Sequence, residues 1–426
     1  MASSELMSRT FIIGVGMSKF VKPLTKAWDY PDMAREAGVQ ALTDARREYK
    51  DIKAVVASYC YGEPTCGQRA VYELGLTGVP IFNVNNNCSS GSSALMLARR
   101  MVTSGVEDCV MAIGFEKMEG GLSEKYNDRV SPVEKHMKHM VNLGADDQLI
   151  SPKLNKMTSD VIKLFAYAAR EYKKNYPDGV DEALVKIAFK NRKQGVNNPN
   201  ASFQHLMSEE IIASKSVLCP PITFGMTAAT ADGGAAAIVC NGEYVVKNNL
   251  QDRAVEILSQ NMVTDLPSSF EKSFMNLSGY SMARKASEKC YTETKLTSKD
   301  IDVFEVHDCF SCNELFMYEA LQLCPPGKAV QMIQNSEWRT NKNGGELLYL
   351  DKKWVVNPSG GLESKGHPIG ASGLAQCAEL VWQLRGEANK RQVEGAKTAM
   401  QHNFGIGGAA VVTIYGNAGM NLMSKM

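Results

Sequence analysis

The 426-residue chain has almost no net charge: 47 Lys and Arg stand against 46 Asp and Glu, giving +1 with histidine neutral. That balance removes the electrostatic case for a nucleic-acid partner. No apolar run is long enough to span a membrane. The first residues, Met1 to Arg9, are polar and lack a signal-peptide core. The 11 cysteines are odd in number and scattered, which points to a reducing compartment rather than a disulfide framework. Cys309 and Cys312 have the spacing Cys-x-x-Cys, but no second pair lies at zinc spacing, so the preferred reading is two incidental cysteines opening a helix. What remains is ordinary: an apolar fraction of 44% and enough length for two or three domains or one duplicated fold.

The stretch from Asn85 to Leu95, Asn-Asn-Asn-Cys-Ser-Ser-Gly-Ser-Ser-Ala-Leu, organises the chain. The apolar run Val79 to Val84 before it reads as a buried strand. Ala94 to Val102 after it reads as a buried helix. Cys88 therefore sits at a strand-to-helix turn. A helix start offers unpaired N–H groups and a positive dipole end, which lower a thiol's pKa and can hold an oxyanion. The competing reading is a small buried cysteine beside a polar turn.

The chain repeats itself. Thr10 to Val15 reads as a strand, Asp32 to Glu48 as a helix and Ile52 to Tyr59 as a strand. Met33-Ala34-Arg35 recurs as Met282-Ala283-Arg284. At the same separation Asp51-Ile52-Lys53 recurs as Asp300-Ile301-Asp302, and Cys60 falls on Cys309. After a shift in spacing, Cys88 to Leu95 lines up with His367 to Leu374, matching Gly, Ser and Leu. If the halves pack about a pseudo-twofold axis, the two turns converge and pair Cys88 with His367.

The segment 120–221 has no counterpart. Helical stretches at Ser159 to Lys174 and Asp181 to Gln194 make it an inserted subdomain, either a solvated excursion or a cover over a ligand site. His136, His139 and His205 within it read as surface residues. The expected division is 1–119 plus 222–266 for the first half, 120–221 for the insertion and 267–426 for the second half. Strands alternating with helices argue for an α/β fold with mainly parallel sheets.

The second half adds chemistry. His307-Asp308-Cys309-Phe310 follows the strand Val303 to Val306. Gly366-His367-Pro368 opens a helix, and Gln401 to Ala409 is a Gly-rich loop before the last strand. Reactive residues at strand ends of an α/β sheet lie where ligands bind. Singly, each histidine reads as structural; with the duplication, the set reads as catalytic.

These residues resemble the thiolases, and within them the sterol-carrier-protein type of peroxisomal 3-oxoacyl-CoA thiolase, over essentially the whole chain. Cys88-Ser89-Ser90 matches the nucleophile motif Cys-x-Ser. His307 to Phe310 matches the His-Asp-Cys-Phe block of this subgroup, where most thiolases have Asn-Glu-Ala-Phe. Gly366-His367-Pro368 matches the third motif. Most thiolases carry a second cysteine in a C-terminal Cys-x-Gly motif; here the loop reads His402-Asn403-Phe404-Gly405, and the resemblance hands that role to Cys309. Some relatives continue into a lipid-transfer domain, which this chain is not expected to have.

The resemblance implies the duplicated, layered α/β/α/β/α thiolase core and thiolytic cleavage of 3-oxoacyl-CoA, including 2-methyl-branched and bile-acid side-chain types. The implied roles are Cys88 as nucleophile, His367 as base and Cys309 as second acid/base. His307 with His367 is expected to form one oxyanion hole, and the N–H groups of Cys88 and Gly405 another. Asn403, Phe404, Lys125 and Arg129 are candidate substrate contacts; for Lys125 and Arg129 solvated surface charge is the simpler reading. CoA is a substrate, and no cofactor or metal is expected. The expected form is a homodimer. The ending Ser424-Lys425-Met426 differs from Ser-Lys-Leu in its last apolar residue, so a peroxisomal import receptor is an expected partner. A condensing ketoacyl synthase-like enzyme and a non-catalytic acyl-CoA-binding or lipid-binding scaffold are the alternatives. Cys309 argues against the first, and intact Cys88, Cys309 and His367 against the second.

Overall fold

The computed structural model describes residues 3–118, 128–145, 160–214 and 216–417. Lys125 and the Ser424-Lys425-Met426 ending lie outside the described residues. Each half builds the same five-stranded unit. In the first, the order is β3 (Ile81–Val84), β2 (Ala54–Ser58), β4 (Cys109–Glu116), β7 (Gly233–Asn241) and β1 (Thr10–Met17). The first two pairings are parallel and the next two antiparallel. In the second, β12 (Trp354–Val356), β9 (Val303–Glu305), β13 (Thr398–Gly405), β14 (Ala409–Asn417) and β8 (Val255–Val263) repeat that order and those directions. The two units join where β1 meets β8 through Phe11–Glu256 and Ile12–Val255. A hairpin of β10 (Glu337–Thr340) and β11 (Glu346–Leu350) extends the second unit beyond β12, and β5 (Val217–Cys219) pairs with β6 (Ile222–Thr223) apart from the sheet.

The expected mainly parallel sheet is therefore a mixed one. A strand buried on both faces is apolar throughout whichever way its neighbour runs, so its pattern does not encode pairing direction. The expected boundary at residue 266 leaves β8 with the first half, whereas its long pairing is to β14.

Strand alternation sorts the layers. In β4, Val110 and Ala112 face a central core shared with Ala94, Leu95, Leu374 and Ala378, while Met111 and Ile113 face an outer core with Met33, Ala37 and Ala41. The central layer holds the helices Ser90–Thr103 and Ser372–Arg385. The helix Tyr30–Asp44 covers the first unit, and Tyr280–Thr294 covers the second. This is the layered α/β/α/β/α thiolase fold that the motifs imply.

Three expectations are corrected by packing. The stretch Val79 to Val84 is not a buried strand: β3 is an outer edge, with Phe82 43% exposed. The helix Val180–Gly195 is not a solvated excursion, because Lys190, Asn191, Arg192 and Gln194 are all buried at its C-terminal end. His136 is not a surface residue; it is buried with Nε2 2.8 Å from Asp265. His205 is exposed, and His139 is partly exposed with Nε2 2.9 Å from the Glu271 carbonyl.

Candidate active site

The turn after β3 is tied by its own polar side chains. Asn87 takes a left-handed φ of 52°, which asparagine tolerates better than most residues. The Ser90 hydroxyl accepts from the Asn86 N–H at 2.9 Å and donates to the Asn87 carbonyl at 2.6 Å. Cys88, between them, points its Sγ to within 3.6 Å of Asn87 Oδ1. The Asn87 amide donates to the Ile406 carbonyl at 3.0 Å, fastening the turn to the β13–β14 loop. Gly405, which ends β13, packs against Asn86 and Ser89 so closely that a side chain would collide with their backbone.

His367 comes from the pseudo-equivalent turn. Its own N–H donates to the Ala229 carbonyl at 2.9 Å, and its Nδ1 lies 2.7 Å from Ser372 Oγ. The single Ser372 hydroxyl proton is committed to the Pro368 carbonyl at 2.9 Å, so Ser372 accepts and His367 Nδ1 carries a hydrogen. Nε2 then presents a bare lone pair, and it has no hydrogen-bond partner among the described residues. His307 follows β9 with its ring 5.1 Å from that of His367 and nearly perpendicular, at 79°. One sulfur from Cys88 and one ring nitrogen from each histidine lie within 4.8 Å of one another. Three such donors could also be recruited by zinc. Cys309 is two residues beyond His307 and partly exposed, its carbonyl held by the Ala228 N–H at 2.9 Å.

Comparison with known proteins shows the family. A model of the thiolase N-terminal domain matches residues 10–216, and one described as thiolase C-terminal domain-like matches 269–417. Human sterol carrier protein 2 is 50% identical over 415 residues, covering 96% of this chain and 72% of that protein. The chain belongs to the thiolase family. Non-specific lipid-transfer protein-like 2 of Caenorhabditis elegans is 43% identical, with 96% of each chain covered. The structure of human mitochondrial 3-ketoacyl-CoA thiolase in complex with CoA superposes with a TM-score of 0.68 at 18% identity, covering 96% of this chain and 98% of that one, a likeness of fold.

In this member of the thiolase family, burial overrides the expected effect of the helix start on Cys88. Desolvation pushes the Cys88 thiol up to about 12, against the smaller lowering effect of a backbone N–H. Burial also pushes the Cys309 thiol well above its ordinary value, with Cys88 the next cause. The same desolvation lowers His367 to about 4 and holds His307 well below the ordinary imidazole value. At rest the site holds neutral thiols and neutral imidazoles. A thiolate–imidazolium pair of Cys88 and His367 is thus disfavoured at rest.

The other expected contacts divide. Asn403 is fully buried and both ends of its amide are engaged, with Ser92 and His307, so it supports the site from behind. Phe404 is buried as well, its ring centroid 6.3 Å from that of His307. Arg129 is exposed and pairs with Asp128 at 2.8 Å. His402, beside Asn403, is buried and lowered to about 3 by desolvation.

Sequence reasoning missed Glu116 at the end of β4. Its carboxylate accepts from the N–H groups of Cys60 at 2.9 Å, Tyr61 at 3.0 Å and Gly370 at 3.0 Å, joining the first unit to the His367 turn. Burial raises its pKa to about 7. The only signal is one acid closing an otherwise apolar strand. Also missed was the seat of Asp308, which accepts from the Leu362 N–H at 2.7 Å and the Asn191 amide at 3.0 Å.

With His367 lowered to about 4, its Nε2 is still unprotonated at pH 5, where an ordinary imidazole of pKa 6.5 is largely protonated. His367-assisted alkylation of Cys88 by iodoacetamide should therefore persist from pH 7 to pH 5 and fall as pH drops through about 4. Site-resolved mass spectrometry of the labelled protein, with His367→Ala supplying the unassisted rate, measures this. An inflection near pH 6.5 would mean that His367 is solvated.

Proposed function

We propose that this protein cleaves 3-oxoacyl-CoA thiolytically, passing the acyl group through Cys88 to free CoA. The observation that carries this reading is the Cys88 sulfur within 4.8 Å of a nitrogen from each of His307 and His367. His367 Nε2 takes the thiol proton as Cys88 Sγ attacks the 3-oxo carbon. The oxygen of that carbon becomes an oxyanion held by the N–H groups of Cys88 and Gly405. Collapse breaks the bond between carbons 2 and 3, leaving the acyl group on Cys88 and the electron pair on carbon 2. His307 and His367 hold the resulting enolate oxygen, directly or through water, and Cys309 delivers the proton to carbon 2. Acetyl-CoA departs, or propanoyl-CoA where carbon 2 bears a methyl group. The Cys309 thiolate then takes the proton of an incoming CoA thiol. The CoA sulfur attacks the acyl thioester, and Cys88 leaves and recovers its proton from His367. The chemistry needs no redox change, and the two oxyanion sites do the work a Lewis acid would do elsewhere.

Intact Cys88 and His367 favour catalysis over a binding-only scaffold, and Cys309 favours cleavage over condensation. CoA as a partner is supported by the shared fold with a thiolase solved in complex with CoA. The sterol-carrier-protein relatives support lipid substrates, among which branched and bile-acid side-chain 3-oxoacyl-CoAs are the proposed range.

Cys88→Ala should abolish thiolysis of a 3-oxoacyl-CoA panel, because it removes the sulfur that lies within 4.8 Å of a nitrogen of each histidine. Cys309→Ala should lower kcat by roughly 100-fold or more while still allowing Cys88 to be acylated. Turnover of 3-oxoacyl-CoA with CoA, followed by thioester absorbance, is the assay. Residual turnover by the Cys88 variant would sink the mechanism.

We further propose a homodimer built on β3. An apolar strand left on an edge with Phe82 exposed is a template for another strand. A second copy of the same strand pairing across a twofold axis would satisfy it. Sedimentation should report a dimer, and Phe82→Asp should shift it to monomer. A wild-type monomer at micromolar concentration excludes the arrangement.

Peroxisomal import through Ser424-Lys425-Met426 completes the reading. A fluorescent protein ending in Asn417 to Met426 should concentrate in peroxisomes, and one lacking the last three residues should not. Cytosolic signal from both would remove the terminal address.

A further inference from the structure

We propose that Asn403, Ser92 and Gln401 form a directional hydrogen-bond relay that fixes the proton of His307 on Nε2, making that atom a standing donor to the reaction oxygen. The inference rests on the thiolytic reading only for the use of the donor; the direction of the relay follows from the structure alone.

The relay starts at a group that cannot reverse. The carbonyl of Gly373 can only accept, and it receives an N–H of the Gln401 side chain at 2.7 Å. That fixes which end of the Gln401 amide is nitrogen. Tyr415 agrees from the other end, since its hydroxyl donates to Gln401 Oε1. The same Gln401 nitrogen donates to Ser92 Oγ at 2.9 Å. Ser92 has one hydroxyl proton, and with an N–H already directed at its oxygen it spends that proton on Asn403 Oδ1, 2.8 Å away. This orients the Asn403 amide in turn. Its Nδ2 lies 3.1 Å from His307 Nδ1 and must donate. His307 Nδ1 is therefore the acceptor, and the ring proton of the neutral imidazole sits on Nε2.

Ser92, Gln401 and Asn403 are all fully buried, and His307 is 1% exposed, so water does not compete for these bonds. The two histidines thus enter the reaction as opposites. His367, set by Ser372, offers a lone pair; His307, set by the relay, offers a hydrogen. An oxygen between them is held by His307 from the outset, and by His367 only after it has taken the Cys88 proton. The relay also bears on metals. Zinc could use His307 Nε2 only if its proton moved to Nδ1, which would set Nδ1–H against the Asn403 N–H and require the Asn403 amide and its bond to Ser92 to turn round. Asn403, Ser92 and Gln401 are positioning residues; none needs to touch substrate.

Neutron diffraction from deuterium-exchanged crystals of the full chain reads the protons directly and needs no substrate. The expected map has deuterium on Nε2 of His307 and on Nδ1 of His367. Deuterium on Nδ1 of His307 with Nε2 bare overturns the relay, whatever the protein's activity. The kinetic test is Asn403→Asp, which keeps the shape and the Ser92 bond but replaces the donor to His307 by an acceptor. Thiolysis should lose roughly 100-fold in kcat with KM changed by less than about threefold, while iodoacetamide alkylation of Cys88 stays within about twofold of wild type. Unchanged kcat, or an equal loss in alkylation, overturns the proposal. If the variant does not fold, the wild-type neutron map still decides it. If the wild type cleaves no 3-oxoacyl-CoA, the functional reading fails while the proton assignment stands.

Discussion

Two helix starts meet in the middle of this molecule glycine against backbone, and the site is arranged around that contact. A Cβ on Gly91 would lie 2.9 Å from the Leu374 amide nitrogen and 3.1 Å from the Gly370 carbonyl, and one on Gly373 would lie closer still to the Ser92 amide nitrogen. Only glycine lets the backbones approach so far. Because the halves repeat, the same approach that stacks the helices brings their leading residues, Cys88 and His367, to one point. Helix starts carry unpaired N–H groups, and burying two of them together leaves polar groups that must be satisfied. The Asn87 and Pro368 carbonyls take the N–H groups of Ser90 and Ser372, and the hydroxyls of Ser90, Ser92 and Ser372 bond Asn86, Asn403 and His367 around them.

Dryness follows from that closeness and sets the chemistry. The desolvation that pushes Cys88 up to about 12 also pulls His367 down to about 4. A thiolate–imidazolium pair is thus disfavoured at rest from both sides. On the proposed reading, that same dry environment strengthens each hydrogen bond to a developing oxyanion. Glu116 fits this picture: with three backbone donors around it and a pKa of about 7, it ties Gly370 to the first unit without forcing a full charge next to Cys88.

What could be read from the chain alone is what chemistry and backbone geometry dictate locally. The Cys88 and His367 turns were legible because a nucleophile or base at a helix start needs Gly and Ser at fixed distances, and the duplication showed in those distances. The edge position of β3 was not legible, because an apolar strand looks the same whether its own core or another chain covers it. Strand direction was not legible, since both faces of the central strands are apolar in either case. Asn403 was legible as a site residue but not in its role: its partners Ser92 and His307 are far away in sequence, and only folding reveals that its amide is used up.

The helix Val180–Gly195 shows why an insertion can be indispensable to a site it does not line. Lys190 pairs with Glu314, and the Asn191 amide reaches Asp308 at 3.0 Å and Glu314 at 2.8 Å. Arg192 binds the Glu363 and Thr227 carbonyls. Three buried carboxylates, Asp308, Glu314 and Glu363, thus face two cations, and burial with mutual repulsion raises Asp308 well above its ordinary value and Glu363 to about 7. Such a cluster adds little net stability, because desolvating the charges offsets their attraction. Its effect is geometric. Asp308 lies between His307 and Cys309 in the chain, so fixing its carboxylate on the Leu362 N–H holds the two residues on either side of it together. Asn191 extends that anchor to the insertion, and Ser364, three residues before His367, donates to the Asn191 carbonyl at 3.0 Å. One residue of the insertion therefore holds both the His307 and the His367 loops of the second half, and an apolar replacement of this helix end would fill the space while leaving Asp308 buried without its Asn191 donor.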